Sequence, residues 1–250
     1  MKTKIVKLAR PAEPSISRVL EEFLEEQRAR LAPRTLAQYE AVLDLLRSHL
    51  NGYAYEGLPQ AERALFDRHY DAEGEKHREF CQLFGPDKIG ENLGSFLNYF
   101  MIRKVMAGQN LKRAAGSVTK KLSMWLAAKG YVSEEIAREG ADRGAAAARE
   151  LPEAERAAQI LRDAVDRLGI DPADLAEEDY LEFDHFTIAK VEPGTLWLDI
   201  QDGRKRRSCG PIPVPAPVTK LLRTGWDLSC ALGRVRGTWR IVEMANVYPE

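Results

Sequence analysis

The sequence predicts an α+β protein, with an all-α helical bundle of SAM-like type followed by a small C-terminal β-barrel, SH3-like or OB-like. Two observations predict it. Through the first half, apolar residues recur every three or four positions, the signature of amphipathic helices. From about residue 180 the repeat shortens to two and turn dipeptides punctuate it, the signature of short strands. The implied division is a helical domain over 1–133, an acidic helical linker over 134–179 and a barrel over 180–250.

The first helix follows a Pro-punctuated lead (Pro11, Pro14) and is capped by Ser15 or Ser17. Ile16, Val19, Leu20, Phe23 and Leu24 share one face, and Glu21, Glu22, Glu25 and Glu26 the other. Pro33 suits the first position of a second helix. Its stripe is Leu36, Tyr39, Leu43, Leu46 and Leu50, and Asn51-Gly52 closes it. Shorter helices are expected around Leu65-Phe66 and Phe80-Phe84, the latter stopped by Gly85-Pro86. Another runs through Ile89, Leu93, Phe96, Leu97 and Phe100 towards Gly108. The next is capped by Asn110 and carries Leu111, Ala115, Val118, Leu122, Trp125 and Leu126 within about 100° of arc. Gly130 ends it.

Residues 134–179 are acidic and alanine-rich, and Pro152 is expected to start a helix through Ile160, Leu161, Val165 and Leu168. Beyond them, Phe186–Val191 and Thr195–Ile200 alternate as two strands around a Pro193-Gly194 turn. Asp202-Gly203 signals a hairpin. Pro211, Pro213 and Pro215 mark an edge strand, because proline cannot donate to a central ladder. A short helix at 217–223 and strands at Leu228–Leu232 and Trp239–Val247 complete the barrel.

Composition narrows the function. In 250 residues no apolar run reaches the ~20 positions of a membrane span. The N-terminus lacks the apolar core of a secretory signal. Cys81, Cys209 and Cys230 are odd in number and widely spaced, which argues against a disulfide framework or a zinc site and fits a reducing cytoplasm. No Gly-rich phosphate loop is present. His185 and Cys209 have no context that suggests a base and a nucleophile. The acidic run Asp171, Asp174, Glu177, Glu178 and Asp179 lacks calcium-loop spacing and reads as a solvated face. No cofactor is implied.

The net charge of −1 hides segregation: residues 1–133 carry 21 Lys/Arg against 16 Asp/Glu, 134–182 carry 6 against 15, and 183–250 carry 10 against 7. Over 93–133 there is no carboxylate, while Arg103, Lys104, Lys112, Arg113, Lys120, Lys121 and Lys129 all occur. Such asymmetry points to a polyanion. On the helix after Asn110, the basic residues fall off the apolar stripe, interleaved with Gly116, Ser117 and Ser123. Small residues there would let backbone approach phosphate. Arg204-Lys205-Arg206-Arg207, past the hairpin signal, reads equally as a phosphate clamp or as charge protecting a strand edge. Tyr39, Phe96, Phe100 and Trp125 lie on apolar stripes and read as core.

Two stretches carry a family likeness. Ala32-Pro33-Arg34-Thr35-Leu36-Ala37-Gln38-Tyr39 resembles the helix opening of the core-binding domain of phage-integrase-type tyrosine recombinases. Asn110–Val132, ending Trp125-Leu126-Ala127-Ala128-Lys129-Gly130-Tyr131-Val132, is similar to that domain's last long helix. The resemblance covers about residues 16–133, with 53–86 as an insertion. It implies a SAM-like domain that grips DNA as half of a clamp, with Arg34, Thr35, Lys112, Arg113, Lys120 and Lys121 at duplex-facing positions. The family's His-x-x-Arg box is missing: none of His49, His69, His77 and His185 has Arg three positions on. The expectation is therefore a non-catalytic, cytoplasmic DNA-binding module of low sequence specificity, with no role in a membrane. The alternative is a protein–protein adaptor that grips its partner at the barrel edge.

Overall fold

A computed structural model describes residues 10–202 and 205–249. The chain forms two compact units, one of residues 1–97 with 114–146, the other of 98–113 with 147–250.

In the first unit, α1 (Ile16–Arg28) begins where the Ser15 hydroxyl accepts from the Arg18 N–H, and it buries Ile16, Val19, Leu20 and Phe23. Helix α2 (Pro33–Tyr53) has Pro33 in its first turn and buries Tyr39, Val42, Leu43, Leu46 and Leu50. It runs past Asn51-Gly52, a sequence that suggested its end. Helices α3 (Gln60–Tyr70), α4 (Phe80–Leu83) and α5 (Asp87–Ser95) follow. A π-turn at Phe96–Phe100 continues α5 into α6 (Met101–Arg103), so the helix expected through Phe100 is broken by one wide turn.

Helix α7 (Gln109–Ala128) ends in a Schellman arrangement. Gly130 takes φ +75°, the Tyr131 N–H donates to the Leu126 carbonyl and the Gly130 N–H to that of Ala127. Helix α8 is longer than expected: it spans Glu134–Leu168 with Pro152 inside it rather than at its start. The alanines before Pro152 are strong helix formers and carry the helix up to a residue that removes one interior donor.

In the first unit α7 and α8 meet backbone to backbone. A Cβ added at Gly144 would stand 2.6 Å from the Lys120 amide nitrogen and 2.7 Å from the Gly116 carbonyl oxygen. Gly140 lies against the Ser123 hydroxyl. Gly116 and Ser123 are buried. Their small size serves helix packing, not the phosphate approach expected from sequence.

The second unit holds one antiparallel sheet of β1 (Tyr180–Glu192), β2 (Thr195–Asp202), β3 (Lys205–Pro213), β4 (Asp227–Val235) and β5 (Thr238–Tyr248), in the order β3-β2-β1-β4-β5. The Pro193-Gly194 turn is present, with Glu192 opposite Thr195 and Gly194 at φ +79°. Strand β1 bends: its first half pairs with β4 up to Thr187, its second half with β2 from Thr187 onward. The helix expected at 217–223 is a single 3-10 turn, Val218–Lys220.

The sheet is not closed, so the expected barrel is corrected. Edge strands β3 and β5 approach one another but are not hydrogen-bonded neighbours. Pro211 and Pro213 leave β3 without donors at those positions. The second half of α8 supplies Ala154, Ala157, Ala158 and Leu161 to a core with Ile188, Leu196, Leu198, Ile212, Leu228 and Leu232. A helix thus covers apolar residues that barrel closure would otherwise bury.

Candidate nucleic-acid interface

Helix α7 carries five of the eleven residues singled out from sequence, and its geometry sorts them. At 100° per residue, Arg113, Ser117, Lys120, Lys121, Met124 and Ala128 fall within about 100° of arc. All six are exposed. Lys112 lies about 80° outside that stripe, near the edge of the apolar face.

Lys112 is the correction. It is 2% exposed, and its ammonium donates to the Glu155 carboxylate inside the second unit. Arg162 donates to the other Glu155 oxygen at 3.1 Å and to the Ala245 carbonyl at 2.6 Å. Burial pushes the Glu155 carboxyl up, but the Lys112 and Arg162 contacts outweigh it and hold it below the ordinary range. An ammonium removed from water by a carboxylate of the acidic segment is not offered to phosphate.

Lys129 is also neutralised. It lies 2.9 Å from Glu22 and 2.5 Å from Glu26. The Trp125 indole N–H donates to Glu26 at 2.8 Å, and the Tyr131 hydroxyl to Glu22 at 2.6 Å. Hydrogen bonds from Tyr131 and Lys129 lower the Glu22 carboxyl, and those from Lys129 and Trp125 lower that of Glu26. The acidic face of α1 therefore ties down the end of α7.

Lys120 and Lys121 remain exposed, and neither has an ion-pair partner among the described residues. With Arg30 they rim a groove of about 360 Å³ between α1 and α7, floored by Phe23, Gln27, Met124 and Trp125. Among the described residues no carboxylate lines it. Arg30, missed from sequence, sits at the C-terminal end of α1, where its Nε donates to the Glu26 carbonyl at 3.3 Å. Its position just before Pro33-Arg34 was the available signal, since a basic residue there extends the cationic run of the α2 opening. Arg34 and Thr35 are exposed in the first turn of α2.

The Arg204–Arg207 run belongs to the second unit. Arg204 lies outside the described residues, as do the side chains of Lys205 and Arg206, whose backbones open β3 opposite Asp202 and Gln201. Arg207 is exposed opposite Ile200.

Cys209 and His185 do not come together. Cys81, Cys209 and Cys230 are buried, and burial raises each thiol, that of Cys81 to about 12. Cys209 belongs to the sheet's core, whereas His185 is exposed with Nε2 3.3 Å from the Ser229 hydroxyl, so the two are not brought together. Among the described residues no group of His, Cys, Asp or Glu could hold a metal, and no helix is long and apolar enough to cross a membrane.

Comparisons with protein-family models, with curated proteins and with solved structures give no match. The functional reading therefore rests on this geometry.

Proposed function

We propose that the chain is a non-catalytic DNA-binding module whose helical unit docks on duplex phosphates, in the manner of the core-binding domain of tyrosine recombinases that residues 32–39 and 110–132 resemble. The observation that carries the reading is the unpaired, exposed pair Lys120 and Lys121 beside Arg30, around a groove that no carboxylate lines among the described residues. Arg34 and Thr35 are exposed in the same unit, and Arg113 and Ser117 continue the exposed stripe of α7. Arg207, with the neighbouring basic residues of β3, is a second candidate contact. Phosphate contacts of this kind position a protein on DNA without reading sequence, so affinity should be modest, salt-dependent and weakly specific.

The test is a gel shift with generic duplex DNA at low and at moderate salt. A shift that fades as salt rises supports the reading.

One observation favours an adaptor instead. Phe183 is 46% exposed beside a groove of about 270 Å³ that includes Leu181, Phe186 and Ile200, and both outer strands of the sheet lack a partner along one edge. An extended peptide could add to such a sheet. This reading predicts no shift with DNA at either salt.

A further inference from the structure

Phosphate docking needs only cations, yet the α1/α7 groove holds more than cations. Gln27 is 6% exposed, and its carboxamide has no hydrogen-bond partner among the described residues, although it lines the groove. The fully buried side-chain polar atoms without a hydrogen bond lie elsewhere among the described residues, so the Gln27 amide is open to the groove and free to bond a ligand there. Beside it lie Phe23 and Trp125, rings 5.3 Å apart at 63°, with the indole oriented by its bond to Glu26. Met124, 54% exposed, forms an adaptable apolar wall. The combination is an aromatic and thioether floor, one amide offering a donor and an acceptor, and a cationic rim.

We infer that this groove receives a single unpaired nucleotide of the bound nucleic acid, its base against Trp125 and Met124, its edge hydrogen-bonded by Gln27 and its phosphate held by Lys120, Lys121 and Arg30. The inference rests on the nucleic-acid reading above and adds to it a preferred substrate, a strand with an unstacked base. A glutamine amide complements a base edge that presents donor and acceptor side by side, as adenine does. Aromatic floors under cationic rims are the general solution for holding unstacked bases. A volume of about 360 Å³ lies at the small end of ligand pockets, which suits one nucleotide.

The test compares fluorescence anisotropy of a fully paired duplex with the same duplex carrying one bulged adenine, for the wild-type chain and for Gln27→Leu. Leucine keeps the buried volume and breaks no protein hydrogen bond, so the variant should melt no lower than wild type. The expected result is a bulge preference of about tenfold that Gln27→Leu cuts several-fold, the stacking and phosphate contacts supplying what remains. A bulge also makes DNA more flexible, so a preference undiminished in Gln27→Leu overturns the inference, as does equal binding of the two duplexes. Either outcome leaves phosphate docking standing. Binding of neither duplex overturns the nucleic-acid reading itself. Deoxyadenosine monophosphate serves as competitor: displacement at micromolar concentration would assign the groove to a free nucleotide and overturn the strand-bound form.

Discussion

Lys112 and Glu155 form an ion pair in which the lysine side chain is 3% exposed and the glutamate 28%. Removing one partner of a buried pair strands the other in a medium that solvates it poorly. Lys112→Ala is expected to cost about 3 kcal/mol, softened by the Arg162 contact that Glu155 retains. Chemical denaturation measures the loss. Because Lys112 does not reach solvent, DNA affinity of the variant under folding conditions should match wild type within about twofold.

Two glycines in helices should respond to alanine with opposite signs. At Gly144 a methyl would meet the backbone of Lys120 and Gly116 at 2.6 and 2.7 Å, so the helices must separate. Gly144→Ala is expected to destabilise by about 1–3 kcal/mol. Gly52, in α2, has nothing within 4 Å of its added Cβ. There alanine only reduces unfolded-chain entropy and should stabilise by about 0.5–1 kcal/mol. Thermal melts would show one midpoint falling by several degrees and the other rising by about 1–4 °C.

His49 should make stability pH-dependent. It is 2% exposed between the rings of Tyr53 and Phe96, and burial lowers its pKa from 6.5 to about 4. The Ser95 hydroxyl donates to the Asn92 carbonyl at 3.0 Å, which leaves its oxygen to accept from His49 Nε2 at 2.9 Å. The unfolded chain takes up this proton first, so the group's contribution is complete above about pH 6.5 and is lost as pH falls towards 4. The difference amounts to about 3 kcal/mol. Denaturation midpoints of wild type and His49→Phe across pH 4–7 check it: the wild-type midpoint should fall more steeply towards acid than that of the variant.

The α+β class, a serine cap before α1 (Ser15 or Ser17 from sequence, Ser15 in the structure), the Pro33 start, the Gly130 stop and the proline-marked edge were legible because each is a local signal: a hydroxyl before an apolar stripe, a ring that fixes φ, a residue that tolerates positive φ. What sequence missed depends on partners far along the chain. Lys112 looked like its neighbours Lys120 and Lys121, although its angle on the helical wheel, beside Leu126 rather than opposite it, already set it apart. Nothing local announced that Glu155 would cover it, that Gly144 would claim Gly116, or that Glu22 and Glu26 would neutralise Lys129. Closure of the sheet was equally out of reach, since alternation reveals strands but not whether the first and last edges pair. Gln27 was hidden on the buried face of α1, where its polarity only acquires meaning beside Trp125.

The most direct test is the salt dependence of duplex binding by wild type and by Lys120→Glu/Lys121→Glu. If Arg30, Arg34, Lys120 and Lys121 each neutralise a phosphate, log K against log salt should slope at about −3.6 for wild type. Reversing two of them should lower affinity at least tenfold at moderate salt and flatten the slope by about 1.8. A double variant that keeps both wild-type affinity and wild-type slope would contradict the assignment of this face to DNA.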